Sequence, residues 1–112
     1  MKQYLLLLRA GTPMSEKTEE QNKAEMAAWG AYMGGLGANL VGGLPLVSGG
    51  STVSASGATG QAVTSANEGI VGGYLIIKAD SLDAAVESAK KCPHIDNKGN
   101  IEVREIAPMP AM

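Results

Sequence analysis

The first predicted element is a short apolar strand at the start of the chain. Residues 2 to 9 are apolar without alternation from Tyr4 to Leu8, and strands that are apolar on both faces are typical of the centre of a covered sheet. The strand pattern ends before Pro13, and Thr18-Glu19-Glu20-Gln21 fits a capping box at the start of a helix. A central strand followed by a helix is therefore predicted.

One apolar face predicts the extent of this first helix. Its members recur at helical spacing and are Met26, Trp29, Met33, Leu36 and Leu40. Glycines at positions 34, 35 and 37 each lower helix stability by roughly 1 kcal/mol relative to alanine. We therefore predict that the helix ends near Ala38.

The middle of the chain is uncharged and rich in glycine. Residues 26 to 67 contain no Asp, Glu, Lys or Arg. We predict a Gly/Ser-rich connecting region over residues 41–69, with a short strand at 52–56 and a polar loop or hairpin arm at 57–69. Two interpretations stay open: a flexible surface connection, or a segment that covers a pocket or a second subunit, where burying a charge would be costly.

The pattern becomes regular again after Gly73. Residues 74–79 form an apolar strand, and Asp80 is predicted to cap a second helix whose inner face carries Leu82, Ala85, Val86 and Ala89. Pro93 is predicted to stop that helix. Residues 97–100 then form a turn, and residues 101–106 alternate as a last strand.

This order of elements predicts the fold class. Strand, helix, strand, strand, helix, strand is the βαββαβ order of a ferredoxin-like α+β domain, with one antiparallel sheet and two helices on one face. We expect a single domain over residues 1–112. Because the other face of the sheet would be left uncovered, we predict a homodimer formed through this open face.

Composition narrows the classes of partner. The 112 residues carry a formal net charge of −2 with one cysteine and one histidine. The small negative charge excludes strong electrostatic binding to nucleic acid or anionic lipid. One cysteine and one histidine exclude a disulfide framework and a Cys-rich or multi-histidine metal site. No cofactor is predicted. The uncharged stretch 26–47 is too interrupted by glycine for a membrane helix, and a free cysteine without an export signal favours the cytoplasm.

His94 is the main candidate for chemistry. It is the only histidine, and histidine is the side chain that titrates near neutral pH without special help. In one interpretation His94 is a general acid or base and Asp96 holds one of its ring nitrogens. In the other, its ring caps the last carbonyls of the second helix. Cys92 is predicted to be a buried apolar residue rather than a reactive thiolate.

A second candidate site lies on the first helix. Trp29, Tyr32 and Met33 would line an aromatic and thioether pocket for a small apolar ligand. The alternative is ordinary core packing, since apolar stripes at helical spacing usually face the core.

Three stretches carry a resemblance to a known family. Residues 73–85 (GYLIIKADSLDAA), 89–94 (AKKCPH) and 101–106 (IEVREI) resemble the YCII-related, DGPF-type proteins. The resemblance implies a small, ferredoxin-like, dimeric α+β barrel, mostly of unknown function, with a minority branch that includes a dehydrochlorinase-type enzyme. This chain lacks the Asp-Gly-Pro-Phe stretch between Ser56 and Val71 and has no histidine before His94, so that branch's proposed His–Asp pair is not carried over.

Two functional hypotheses follow. The first is a small homodimeric ligand-binding or accessory protein that takes a small apolar ligand. The alternative is a cofactor-independent isomerase or lyase that acts on a small, partly apolar substrate with His94 as acid or base.

Overall fold

The elements of the chain follow the predicted βαββαβ order with an inserted hairpin. The structure is a computed structural model, and it describes residues 1–12, 14–47, 50–57, 59–61 and 70–108. The strands and helices are β1 (Lys2–Ala10), α1 (Glu19–Leu36), β2 (Leu40–Pro45), β3 (Ser51–Val53), β4 (Thr59–Gln61), β5 (Val71–Ala79), α2 (Leu82–Lys90), α3 (Pro93–Asp96) and β6 (Gly99–Glu105). Two short 3₁₀ turns, Met14–Glu16 and Gly37–Asn39, flank α1.

Four of the strands form one antiparallel sheet in the order β2-β5-β1-β6. β1 lies inside the sheet and pairs with β5 on one side and β6 on the other, while β2 pairs with the far edge of β5. This is the ferredoxin-like arrangement, so the predicted α+β fold class is confirmed. β3 and β4 pair with each other as a separate two-stranded hairpin.

The second strand of the sheet is the main correction to the predicted elements. The sequence pattern predicts Leu40 as the last member of the helical face and residues 41–45 in the connecting region, but Leu40–Pro45 forms β2 and pairs with β5. Leu40 still packs against the core, but it does so from the strand. Helical spacing correctly predicted that Leu40 faces the core. It assigned Leu40 to the helix rather than to β2, because the helix ends before Gly37.

The predicted strand at 52–56 is shorter in the structure and lies earlier. Ser51–Val53 pairs with Thr59–Gln61, which agrees with the hairpin-arm alternative for the start of the 57–69 segment. The rest of that predicted segment, residues 62–69, lies outside the described residues.

The two longer helices, α1 and α2, begin at side-chain caps. The Thr18 hydroxyl accepts from the Gln21 amide and the Gln21 side chain accepts from the Thr18 amide, so the predicted capping box is confirmed. The start of α2 is capped by Ser81, whose hydroxyl accepts from the Ala84 amide, rather than by the predicted Asp80. Pro93 follows the end of α2, and it opens the single-turn helix α3.

The core lies between the helices and one face of the sheet. Alternate positions of β1 and β5 point into it, and its fully or nearly buried members are Tyr4, Leu6, Leu75, Ile77, Ala79, Ala85 and Ala89. α1 supplies only half-buried side chains to this cluster and has no fully buried residue. The first helix therefore stands off the sheet, which leaves space beneath it.

No helix in the described ranges is long and apolar enough to cross a bilayer. The cytoplasmic location predicted from the sequence stays a prediction.

The hydroxyl of Tyr4 generates the first testable prediction. Tyr4 is fully buried, and its oxygen has no hydrogen-bond partner among the described residues. A buried hydroxyl without a partner costs about 1–3 kcal/mol, so Tyr4→Phe should raise the free energy of unfolding by about 1 kcal/mol. Denaturant titration of the two proteins measures this difference.

Tyr32→Phe is the matched control for this experiment. The Tyr32 hydroxyl donates to the backbone carbonyl of Ser88 at 3.0 Å, so removing it should lower stability by about 1 kcal/mol. A Tyr4→Phe protein destabilised as much as Tyr32→Phe would contradict the assignment of an unpartnered hydroxyl.

Candidate functional site

A cavity of about 450 Å³ lies between α1 and the sheet. It occupies the space that α1 leaves by standing off the strands, close to the end of β1 and the start of β5. Small-molecule sites of proteins typically measure roughly 300–1,000 Å³, so the cavity has the size of a ligand site.

Most of the cavity wall is apolar. The apolar residues that line it belong to three strands and to α1, and they are Leu8, Ala10, Met26, Trp29, Met33, Leu44, Pro45, Tyr74 and Leu75. Met26 and Leu44 remain largely exposed, so the wall reaches the protein surface. An apolar wall of this kind binds ligands by removing their apolar surface from water.

Four polar residues of the lining are joined by direct contacts, and we call this part of the cavity its polar end; they are Thr12, Lys17, Glu25 and Asn97. Lys17, just before α1, forms an ion pair with Glu25 on α1, and its ammonium also donates to Oδ1 of Asn97 at 3.1 Å. The Asn97 amide group donates in turn to the backbone carbonyl of Thr12 at 3.2 Å. The side chain of Lys17 is only 13% exposed. These bonds tie the segment after β1, the start of α1 and the turn after α3 into one network.

The ring of His94 lies at the same polar end. His94 is 8% exposed, and its Nε2 lies 2.7 Å from the backbone carbonyl oxygen of Arg9, near the end of β1. A carbonyl oxygen only accepts, so Nε2 carries the proton and donates. In the neutral ring Nδ1 is then the nitrogen that accepts a proton.

Two glycines leave the space that this ring occupies. A Cβ at Gly99 would collide with the imidazole, and a Cβ at Gly11 would lie 3.0 Å from its Cε1. Gly11 also has a φ of +96°, a backbone conformation that favours glycine. The ring is thus held between the start of β6 and the turn after β1.

The structure brings together some of the predicted site residues and separates others. Trp29, Met33 and His94 line the same cavity. Tyr32 lies three residues from Trp29 with its ring in an edge contact at 6.1 Å, but its hydroxyl is directed to α2, where it bonds Ser88. Asp96 is exposed on α3 and is not among the lining residues.

The bond of His94 differs from both sequence-based interpretations. Its Nε2 reaches the end of β1, neither the last carbonyls of α2 nor the carboxylate of Asp96. Asp96 instead lies close enough to Cys92 to act on it electrostatically. Roles for Asp96 and for His94 in acid–base chemistry stay predictions.

Cys92 is buried, as predicted. It is 1% exposed, and burial raises the pKa of its thiol to about 11. The thiol is therefore protonated at neutral pH, and thiolate is the reactive form of cysteine. Cys92 follows the end of α2 as predicted, where it also precedes the first turn of α3.

Three polar members of the site carry no signal in the sequence. Along the chain, Lys17 is 8 residues from Glu25 and 80 residues from Asn97. All three are common surface residue types. Only the folding of α3 against the end of β1 brings them together. Among the described residues, no group of three His, Cys, Asp or Glu side chains is placed to hold a metal ion.

Comparisons with known proteins agree with this architecture. The family model of the YCII-related domain matches residues 3–110, which confirms the resemblance seen in the sequence. The structure is similar to 5-chloro-2-hydroxyhydroquinone dehydrochlorinase (TftG) from Burkholderia phenoliruptrix AC1100, solved in complex with 2,5-dihydroxybenzoquinone. The TM-score is 0.55 at 20% identity, over 94% of this chain and 93% of that chain, and this likeness shows the fold. No curated protein matches the chain.

Proposed function

The chain belongs to the YCII-related family, and on that premise we propose that it binds a small, mostly apolar molecule in the cavity beneath α1. The observation that carries the proposal is the division of the cavity into an apolar wall and one polar end. Sites of this kind bind by apolar contact and orient the ligand with a few polar groups. Trp29 and Met33 supply the apolar contact, and His94 lies at the polar end.

The structural neighbour supports a small-molecule role. That dehydrochlorinase was solved with a hydroxylated quinone, a small ring with polar oxygens. A cavity with one apolar wall and one polar end in this chain suits a molecule of comparable character. The neighbour's substrate is not transferred, because 20% identity supports the fold alone.

Catalysis is the second candidate function, and the environment of His94 favours it. The Arg9 carbonyl fixes the proton on Nε2, so the neutral ring offers Nδ1 as a base, and a positioned base contributes about 10²–10⁴ in rate. This supports a cofactor-independent isomerase or lyase acting on a substrate held against the apolar wall.

Ligand binding is tested with the single tryptophan as the reporter. Acetophenone titrated into ¹⁵N-labelled protein should shift the indole N–H signal of Trp29 in a saturable way. Trp29→Leu should weaken binding, measured by calorimetry, at least about threefold, because part of the aromatic contact is lost. Leu82→Ala is the control and should leave the affinity unchanged, because Leu82, predicted to lie on the inner face of the second helix, is 49% exposed in the structure and does not line the cavity. No saturable shift with any small aromatic probe would contradict the proposal.

Proton exchange of a ketone ligand distinguishes a binding protein from an enzyme. Enolisable ketones incubated in deuterated water should exchange their α-protons faster with the protein than without it if His94 is a working base. His94→Gln should abolish that excess exchange and keep the apolar binding. Exchange at the uncatalysed rate, together with intact binding, would contradict the role of His94 as a base on ketones and leave the binding function standing.

We also propose that the chain works as a homodimer that buries the open face of the sheet. Leu5 and Leu7 of β1 and Tyr74 and Ile76 of β5 alternate with the core residues, and they face away from the helices. An ion pair between Arg9 and Glu102, 3.3 Å apart, lies beside this apolar strip. Contiguous apolar surface with a polar rim is typical of a protein interface.

Light scattering coupled to size exclusion tests the dimer. The native protein should elute at twice the 11.4 kDa mass of the chain. Leu7→Glu should shift it to the monomer mass, because a carboxylate would be buried in the interface without a partner. Leu82→Glu, which places the same charge on the helical side, should leave the dimer intact. A native protein that is monomeric at 100 µM would overturn the proposal.

A further inference from the structure

The ion pair between Lys17 and Glu25 differs from the other ion pairs on the helices. Its two side chains are only 13% and 25% exposed and line the cavity. The pair between Lys90 and Glu87 on α2 is 66% exposed at both ends and lies away from the cavity. An exposed pair contributes little to stability. The Lys17–Glu25 pair is therefore placed to act on a ligand.

Lys17 retains a donor for that ligand. Its ammonium has three N–H groups, and the described contacts use two of them, for Glu25 and for Oδ1 of Asn97. Because Lys17 lines the cavity, a ligand bound there is the partner for the remaining N–H. An oxygen atom is the ligand group that this donor suits.

The charge of that oxygen is restricted by Glu25. Lys17 and Glu25 are the only Asp, Glu, Lys or Arg residues among the described lining residues, so their charges cancel at the polar end. A ligand carboxylate bound to Lys17 would lie next to the Glu25 carboxylate with one cation between them. A neutral carbonyl oxygen accepts the same hydrogen bond without this repulsion.

We propose that Lys17 binds a neutral carbonyl oxygen of the ligand and that Glu25 is the residue that rejects carboxylates. The inference rests on the proposed binding function, and it names the ligand class: small apolar ketones, aldehydes, esters or amides rather than the corresponding acids. Glu25 acts as a specificity determinant by neutralising the ammonium, since specificity is often set by what a site repels.

Acetophenone and benzoate are the probes for this proposal, because they share a ring and differ by a methyl group in place of a charged oxygen. Calorimetry at pH 7 should show acetophenone binding at least about tenfold more tightly than benzoate to the native protein. Glu25→Gln should raise the benzoate affinity about tenfold and lower the ratio of acetophenone to benzoate affinity at least about threefold.

Two variants control this experiment. Glu87→Gln removes the same charge from the exposed pair on α2 and should leave both affinities unchanged. The double variant Lys17→Gln/Glu25→Gln should lose the gain in benzoate binding, because the freed ammonium is what would bind the carboxylate. Proton spectra and melting curves of each variant report that it is folded.

The outcomes separate the two proposals. If acetophenone binds but benzoate binds as tightly to the native protein, or Glu25→Gln leaves the ratio unchanged, the role of Glu25 is overturned and the binding function stands. If neither probe shifts the Trp29 indole signal, the proposed binding function fails as well. Benzoate binding to the native protein as tightly as acetophenone would overturn the role of Glu25 even if a variant does not fold.

Discussion

The hydrogen bond from Nε2 of His94 to the backbone carbonyl of Arg9 links the last part of the chain to the end of the first strand. α3 is a single turn, too short to hold its place through its own hydrogen bonds. The buried ring anchors it between the turn at Gly11 and the start of β6 at Gly99. Asn97 follows directly and bonds both the Thr12 carbonyl and the Lys17 ammonium. The polar end of the cavity therefore depends on this contact.

The cavity also depends on how α1 is packed. The helix contributes half-buried side chains such as Trp29 and Met33 to the core and no fully buried one. A helix that packed directly on the sheet would bury more apolar surface, at about 25 cal/mol per Å². The fold forgoes part of that stabilisation and keeps an apolar space open. Active and binding sites often carry such a loss of stability, which is regained when a ligand fills the space.

Local sequence patterns predicted the helices and most of the strands, whereas β2 depends on long-range pairing with β5. The capping box at Thr18 is set by residues close in sequence, so it was predictable. β2 was missed because Leu40 continues the helical spacing of α1, and only its pairing with β5 makes that segment a strand. The same limit applies to the site. Trp29 and His94 stand out by residue type, whereas Lys17 and Asn97 acquire a role only when α3 folds against β1.

The most direct test of this account is the tautomer of His94, read from long-range ¹H–¹⁵N correlations of the neutral imidazole. Because the chain has one histidine, its two ring nitrogens are the only imidazole signals in the spectrum. The account predicts a protonated Nε2 and a bare Nδ1, since Nε2 donates to the Arg9 carbonyl. A ring protonated at Nδ1, or one that averages between the two tautomers as in free histidine, would contradict it.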